Sequence, residues 1–241
     1  MASVERVRRA LVLGASSDIG VAVCQRFLDS DYRVTGHFYG NPSAFASLGY
    51  SSGAFESLQL DLADLDAVSA VARSPQVTAA DAVIFLAALA TPSTLHTIDP
   101  ATLTAAMNVG ALANYVIMGA AGPGMATRGW GRIVVASSIG VKFGGGTDSF
   151  NYALANHASE FIPRTARDWA ASGVLTNVVR IGVTATKAHD AFPGRDLAMR
   201  AELIPMKRAA TTAEIADYVF WIGSESNTYL TGQVNAISGG E

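Results

Sequence analysis

Apolar residues along the chain come as short runs separated by segments with helical spacing. The first run, Ala10-Leu11-Val12-Leu13, ends in Gly14-Ala15-Ser16-Ser17-Asp18-Ile19-Gly20 and opens into the periodic stretch from Val21 to Leu28, so strand, glycine turn and helix follow in order. Residues 32–38 and 57–62 read as a second and third strand, 81–86 as a fourth and 131–137 as a fifth; 175–180 and Val234–Ile237 complete seven. Helices are expected over 100–118, 152–172 and Thr212–Gly223. Strands that alternate with helices and carry nearly continuous apolar cores indicate a parallel sheet covered on both faces. No linker rich in Pro, Ser or charge and no internal repeat divides the chain, so a single domain over 1–241 is expected.

Composition narrows the classes. Of 241 residues only 15% are charged and 50% are hydrophobic, which excludes disorder. The net charge is −3 and no more than two basic residues stand side by side, so neither nucleic acid nor an anionic membrane has a footprint here. Cys24 is the only cysteine, which rules out an internal disulfide or a thiolate metal cluster and points to a reducing cytoplasm. Arg6, Arg8 and Arg9 precede Leu11, but glycine and polar residues follow, and no run approaches the roughly 18 apolar residues of a membrane span. The expectation is a soluble, cytoplasmic protein acting on small molecules.

A glycine turn after the first strand of a βαβ unit lets backbone N–H groups approach a pyrophosphate, which then sits on the positive end of the next helix. Gly14 and Gly20 fit those roles, although such a turn can also be a plain strand-to-helix connection. Asp61-Leu62, after the third strand, can receive an adenine ring; an equally ordinary reading makes Asp61 the cap of a helix beginning near Leu65.

Along essentially its whole length the chain resembles the short-chain dehydrogenase/reductase family. Gly14 to Gly20 is similar to the family's glycine motif with Asp18 at its middle glycine, and Asp61-Leu62 to its adenine site. Phe85-Leu86-Ala87-Ala88 stands where the family has Asn-Asn-Ala-Gly. Asn108, the pair Ser137-Ser138, and Tyr152 fourteen residues after Ser138 match the catalytic asparagine, serine and tyrosine. Gly182-Val183-Thr184-Ala185-Thr186 resembles the nicotinamide loop, with Ile181 replacing its proline. Pro205-Met206-Lys207-Arg208, Ala213-Glu214-Ile215-Ala216, Tyr229 to Gln233 and Gly239-Gly240 resemble the family's ending in order.

The resemblance implies a single-domain, Rossmann-type, doubly wound parallel sheet of about seven strands with helices on both faces. It implies an NAD(P)(H)-dependent oxidoreductase that transfers a hydride between nicotinamide and a small polar carbonyl or alcohol. Tyr152 is then the proton donor, Ser138 the group that polarises the carbonyl, and Asn108 the holder of a water in the proton relay. Gly14, Ser16, Ser17, Ile19, Gly20, Phe38, Asp61, Leu62, Ala87, Asn156, Gly182 and Thr184 would hold the cofactor. The substrate lid falls at about 185–205, with Lys187, His189, Asp190, Arg195 and Arg200. Acyl-carrier reductases of the family show basic residues near two surface turns; Arg128 fits one but Ser172 stands in the other, so a carrier-bound substrate is not favoured. The helices over 100–118 and 152–172 would form the four-helix contact of a homotetramer.

Phe38 stands where NAD-specific relatives carry an acid that excludes a 2′-phosphate, and His37, Asn41, Ser16 and Ser17 are candidate donors to one. This slightly prefers NADP(H) over NAD(H). The alternative is that Phe38 and Tyr39 stack on the adenine and give dual specificity.

The main departure is Asn156, four residues after Tyr152, where the family carries a lysine that lowers the tyrosine pKa and holds the nicotinamide ribose. The i, i+4 spacing places both side chains on one helical face, so Asn156 is expected to reach the ribose as a neutral donor. Losing two units of activation from a phenol near pKa 10 corresponds to roughly 3 kcal/mol, or about a hundredfold in rate. Lys142 and Lys187 are candidates to return the charge, against the reading of both as solvated surface residues; the third lysine is Lys207. His157 projects about 100° around the helix from Asn156 and is expected to pack or face a neighbouring subunit. Two other readings stay open: an isomerase, dehydratase or lyase using Tyr152, and a cofactor-binding subunit without turnover.

Overall fold

The computed structural model describes residues 6–49, 53–187 and 196–241. Seven strands, β1 (Arg9–Leu13), β2 (Arg33–Phe38), β3 (Phe55–Gln59), β4 (Ala82–Phe85), β5 (Gly131–Ser138), β6 (Val174–Ile181) and β7 (Val234–Ile237), form one sheet in the order β3-β2-β1-β4-β5-β6-β7. All neighbours are parallel. The strands match the apolar runs to within three residues at either end. β1 pairs with both β2 and β4, so the order reverses beside it, and this reversal opens the crevice at the strands' carboxyl ends where ligands bind in such sheets.

The helices cover both faces because each strand's two sets of side chains need cover. On one face α1 (Asp18–Leu28) and α9 (Thr212–Gly223) pack over Val12, Ile84, Val134 and Val179. On the other, α2 (Leu65–Ala72), α3 (Pro75–Thr78) and α5 (Ala113–Arg128) enclose Leu11, Leu13, Phe85, Ile133 and Val178. Helix starts follow the capping residues. Ser17 caps α1, Asp64 caps α2, Asp99 with Pro100 behind it caps α4 (Pro100–Met107), and Thr211 with Glu214 forms a reciprocal box on α9. Asp61 is therefore not the cap of α2; its Oδ1 accepts from Ala63 N at 2.8 Å in a turn of its own.

Two helices depart from expectation. The helix expected over 100–118 runs on to Arg128, widening to a π turn over Asn108–Leu112 between α4 and α5 and ending at Gly129 in the left-handed region. This run of 29 residues is long and apolar enough to cross a membrane, contrary to the reading of the sequence; here Ala113, Ile117, Ala121 and Met125 lie buried against the sheet. The helix expected over 152–172 is broken. α6 (Phe150–Ser159) stops before Pro163, α7 (Arg164–Asp168) starts after it, and a 3₁₀ turn covers Trp169–Ser172. Proline lacks the N–H needed four residues into a helix and disfavours helical geometry at Ile162. The π turn and α6 cross closely, since a Cβ on Gly110 would lie 3.0 Å from that of Ala155. The last helix, α8 (Leu197–Glu202), follows the undescribed residues and is capped by Asp196.

Candidate active site

The turn after β1 is held in one shape from several sides. Gly14 has φ +83°, and a Cβ there would come within 2.7 Å of Ala87 N, so only glycine lets the turn lie against the end of β4. Ser17 Oγ accepts from Gly20 N at 3.0 Å and donates to Gly14 O at 2.8 Å. His37, buried on β2, accepts from Gly14 N through Nδ1 at 3.0 Å, and its Nε2 lies 2.9 Å from Leu60 O. A carbonyl only accepts, so Nε2 carries the proton and Nδ1 is the free acceptor. The ring ties β1, β2 and the end of β3 together, and burial lowers its pKa against the opposing pull of the Leu60 bond and Asp61. The N–H groups of Asp18 and Ile19 take no partner among the described residues. A cradle closed to any Cβ, with two open amides at a helix N-terminus, fits the diphosphate of a dinucleotide.

The adenosine side differs from expectation. His37 does not offer a donor to a 2′-phosphate, because both ring nitrogens are engaged. Phe38 is buried edge-on against Phe45, centroids 5.8 Å apart, and is not a free platform; Tyr39, 66% exposed, is the open ring. Asn41 Oδ1 caps the 3₁₀ turn Pro42–Ser47 through Ser43 N, and the hydroxyl proton of Ser17 goes to Gly14 O. Ser16 is half-buried and makes no side-chain hydrogen bond among the described residues. Asp61 turns the chain after β3, Leu62 behind it is buried, and Asn108 Nδ2 donates to Ala63 O at 2.8 Å. The π turn is thus joined to the loop after β3.

At the other end of the crevice the two serines of β5 point oppositely, as alternate residues of a strand must. Ser137 is buried and donates to Glu160 Oε1 at 2.7 Å and to Asn156 O at 3.3 Å. Ser138 Oγ accepts from Gly140 N at 3.1 Å, and its O–H proton has no acceptor among the described residues. Of the pair, Ser138 retains the donor that a carbonyl requires. Tyr152 is half-buried in the first turn of α6. The segment before it is pinned by Ser93, which takes Phe150 N on its carbonyl at 3.0 Å and Asn151 N on its Oγ at 2.9 Å.

Asn156 is buried, and its Nδ2 donates to Tyr152 O at 2.9 Å on its own helix. His157 is exposed. Lys142 Nζ lies 5.4 Å from the centre of the Phe143 ring, and Lys207 Nζ donates to Glu202 O at 2.6 Å. Lys187 belongs to the glycine-turn end, where its backbone N donates to Asp18 Oδ2 at 2.8 Å. Thr184 is buried, with Oγ1 donating to Gly182 O at 3.0 Å, and Gly182 N donates to Ile237 O at 2.9 Å. His189, Asp190 and Arg195 of the expected lid lie outside the described residues, while Arg200 pairs with Glu241.

Three neighbours of the site were not singled out from sequence. Glu160 takes a two-pronged pair from Arg180, at 2.7 and 2.6 Å, besides the Ser137 bond. Burial pushes the Glu160 carboxyl up, but the Arg180 and Ser137 hydrogen bonds outweigh it and hold it below the usual range. A lone arginine near the end of an apolar strand, on the same face as Ser137 beside it, was the available signal for this pair. Asn151, just before Tyr152, is buried with neither side-chain polar atom partnered among the described residues.

Comparison with known proteins agrees with this geometry. A family model described as Enoyl-(Acyl carrier protein) reductase matches residues 14–241. The chain is 28% identical over 239 residues to the uncharacterized oxidoreductase YmfI of Bacillus subtilis, covering 97% of this chain and 98% of that one. It is also 28% identical over 243 residues to the acetoacetyl-CoA reductase of Cupriavidus necator, covering 97% of each. Among solved structures, a 3-oxoacyl (acyl-carrier-protein) reductase from Agrobacterium tumefaciens with NADP bound superposes with a TM-score of 0.87 at 25% identity, covering 98% of this chain and 95% of that one.

Proposed function

Since the chain belongs to the short-chain dehydrogenase/reductase family of NAD(P)-dependent oxidoreductases, we propose that it is a carbonyl reductase, preferring NADP(H), whose proton donor is Tyr152. The observation that carries this reading is the division of labour between the two serines: Ser137 is engaged with Glu160, while the Ser138 O–H at the end of β5 has no acceptor among the described residues. The nicotinamide, when bound, supplies or takes the hydride. Ser138 donates to the carbonyl oxygen, Tyr152 delivers the proton that the reduced oxygen requires, and the glycine turn with Asp61, Leu62, Gly182 and Thr184 orients the dinucleotide. Asn156 offers the ribose a neutral group and lends the phenol no charge, so turnover is slow. Two of the proteins named above are an acetoacetyl-CoA reductase and a 3-oxoacyl (acyl-carrier-protein) reductase, and this makes 3-oxo compounds the first carbonyls to assay. The absence of an arginine after β2 keeps the NADP(H) preference slight.

We further propose a soluble cytoplasmic homotetramer with a polar lid over 185–205. Leu112, Leu154 and Phe161, on or just beyond the paired helices, are exposed apolar groups that a second copy would cover.

The test is turnover of the purified protein with NADPH or NADH and a panel of ketones including acetoacetyl-CoA, with nicotinamide absorbance and product mass followed together. NADPH consumption matched by alcohol is the expected result. It should fall by about 10² or more in Tyr152→Phe and by a similar factor in Ser138→Ala. Product without absorbance change would replace the reading by an isomerase, dehydratase or lyase, and binding without product by a non-catalytic subunit.

A further inference from the structure

The dinucleotide turn contains an acid. Asp18 is the first residue of α1, directly after the cap Ser17, and its own N–H is one of the two amides left open there. Its carboxylate reaches across the crevice, and Oδ2 accepts from Lys187 N, which joins the turn after β1 to the segment after β6. Asp18, Thr186 and Lys187 line a cleft of about 720 Å³ with Val21, Ala44 and Thr212. Lys187 is exposed, so it brings a cation to the same cleft that Asp18 furnishes with an anion.

The two charges act in opposite directions on a diphosphate. A helix N-terminus attracts anions because its unpaired N–H groups carry about half a positive charge. A carboxylate on the first residue consumes part of that attraction and repels the incoming phosphates. The hydrogen bond from Lys187 N to that carboxylate keeps the backbone of Lys187 beside the turn, and its ammonium attracts what the carboxylate repels.

We propose that Asp18 sets the affinity of the dinucleotide site, weakening it by charge while positioning Lys187 as the compensating cation. The inference rests on the dinucleotide-binding reading of this turn. Its consequence is a cofactor that is held loosely and exchanges rapidly.

The experiment is a titration with NADPH followed by nicotinamide fluorescence, at low and high salt, for wild type, Asp18→Asn, Asp18→Gly and Lys187→Ala. Asp18→Asn deletes the charge and keeps an acceptor for Lys187 N, and should tighten Kd about fivefold. Asp18→Gly loses that acceptor as well and should bind less tightly than Asp18→Asn. Lys187→Ala should weaken binding about fivefold, and all three differences should shrink as salt rises. Wild type binding NADPH with Asp18→Asn equal to it or weaker overturns the proposal and leaves the dinucleotide reading standing, as does a Lys187→Ala that binds like wild type. A wild type that binds neither NADPH nor NADH overturns both.

Discussion

Replacing His37 by phenylalanine would remove an acceptor and a donor in one step while leaving a ring of similar size. Gly14 N–H and Leu60 O would lose their partners at 3.0 and 2.9 Å in the interior. A buried polar group left unpaired costs about 1–3 kcal/mol, so two cost about 2–6 kcal/mol, a large part of the 5–15 kcal/mol that holds a typical domain together. Part of the damage would be local, because the freed amide belongs to the turn that Gly14 holds at φ +83°. His37→Asn places an amide oxygen near the former Nδ1 and should recover the Gly14 bond, hence about half of the loss. Urea unfolding measures the stability and NADPH titration the turn; both should worsen in His37→Phe and partly recover in His37→Asn.

The same residue makes stability depend on pH, and the direction is determined. Burial lowers the His37 pKa below its ordinary value, so the folded protein refuses a proton that the unfolded chain accepts at about 6.5. The contribution of the neutral ring is therefore fully present above about pH 6.5 and is lost as pH falls from there through the lowered folded value. His37→Asn should flatten that decline. If His37→Phe unfolds at the same urea concentration as wild type with the same NADPH Kd, or if wild type and His37→Asn lose stability in parallel below pH 6.5, the reasoning fails.

Two further outcomes follow from the site and the surface. Asn156 is buried and hydrogen-bonded to Tyr152 O, while Glu160 one turn on is already paired with Arg180, so Asn156→Lys brings in an uncompensated charge. Its turnover should fall about tenfold or more; a gain, with the rising limb of the pH–rate profile for alcohol oxidation moved to lower pH, would show that asparagine is merely tolerated. Light scattering should give a particle of about four times 25.0 kDa, and Leu154→Glu combined with Phe161→Glu should reduce its mass; an unchanged mass in that variant would place the interface elsewhere.

The fold was legible because its signals are local. The central strands β1 and β4 are nearly continuous apolar runs, and the turn after β1 announces itself through glycines whose missing Cβ atoms the structure requires. What escaped was of two kinds. Pro163 interrupts an otherwise helical pattern, and the break in the helix expected over 152–172 is the result. The rest depends on contacts between residues far apart in the chain. His37 reads as a polar residue near a phosphate until Gly14, 23 positions away, is seen to use one ring nitrogen. Asp61 reads equally as part of an adenine site or as the cap of α2 until the chain's path gives that cap to Asp64.

The catalytic end shows how the two kinds of information combine. The family resemblance of the sequence offers Ser138, from the pair Ser137-Ser138, as the polarising serine and marks Asn156 as an anomaly. The alternation of β5 sends Ser137 to Glu160 and leaves the Ser138 O–H without an acceptor among the described residues, which supports the proposed role of Ser138. The ion pair between Glu160 and Arg180 accounts for the only arginine in β6, and it commits the charge of Arg180 to Glu160. Lys207 is held on Glu202 O and the backbone of Lys187 at the glycine turn, while Lys142 lies in the 3₁₀ turn after Ser138 that packs against α6. Asn156 itself brings the phenol no charge. If no cation acts on Tyr152, the alcohol-oxidation rate of wild type should keep rising with pH into the alkaline range; a plateau near neutrality would show that a cation does act on it.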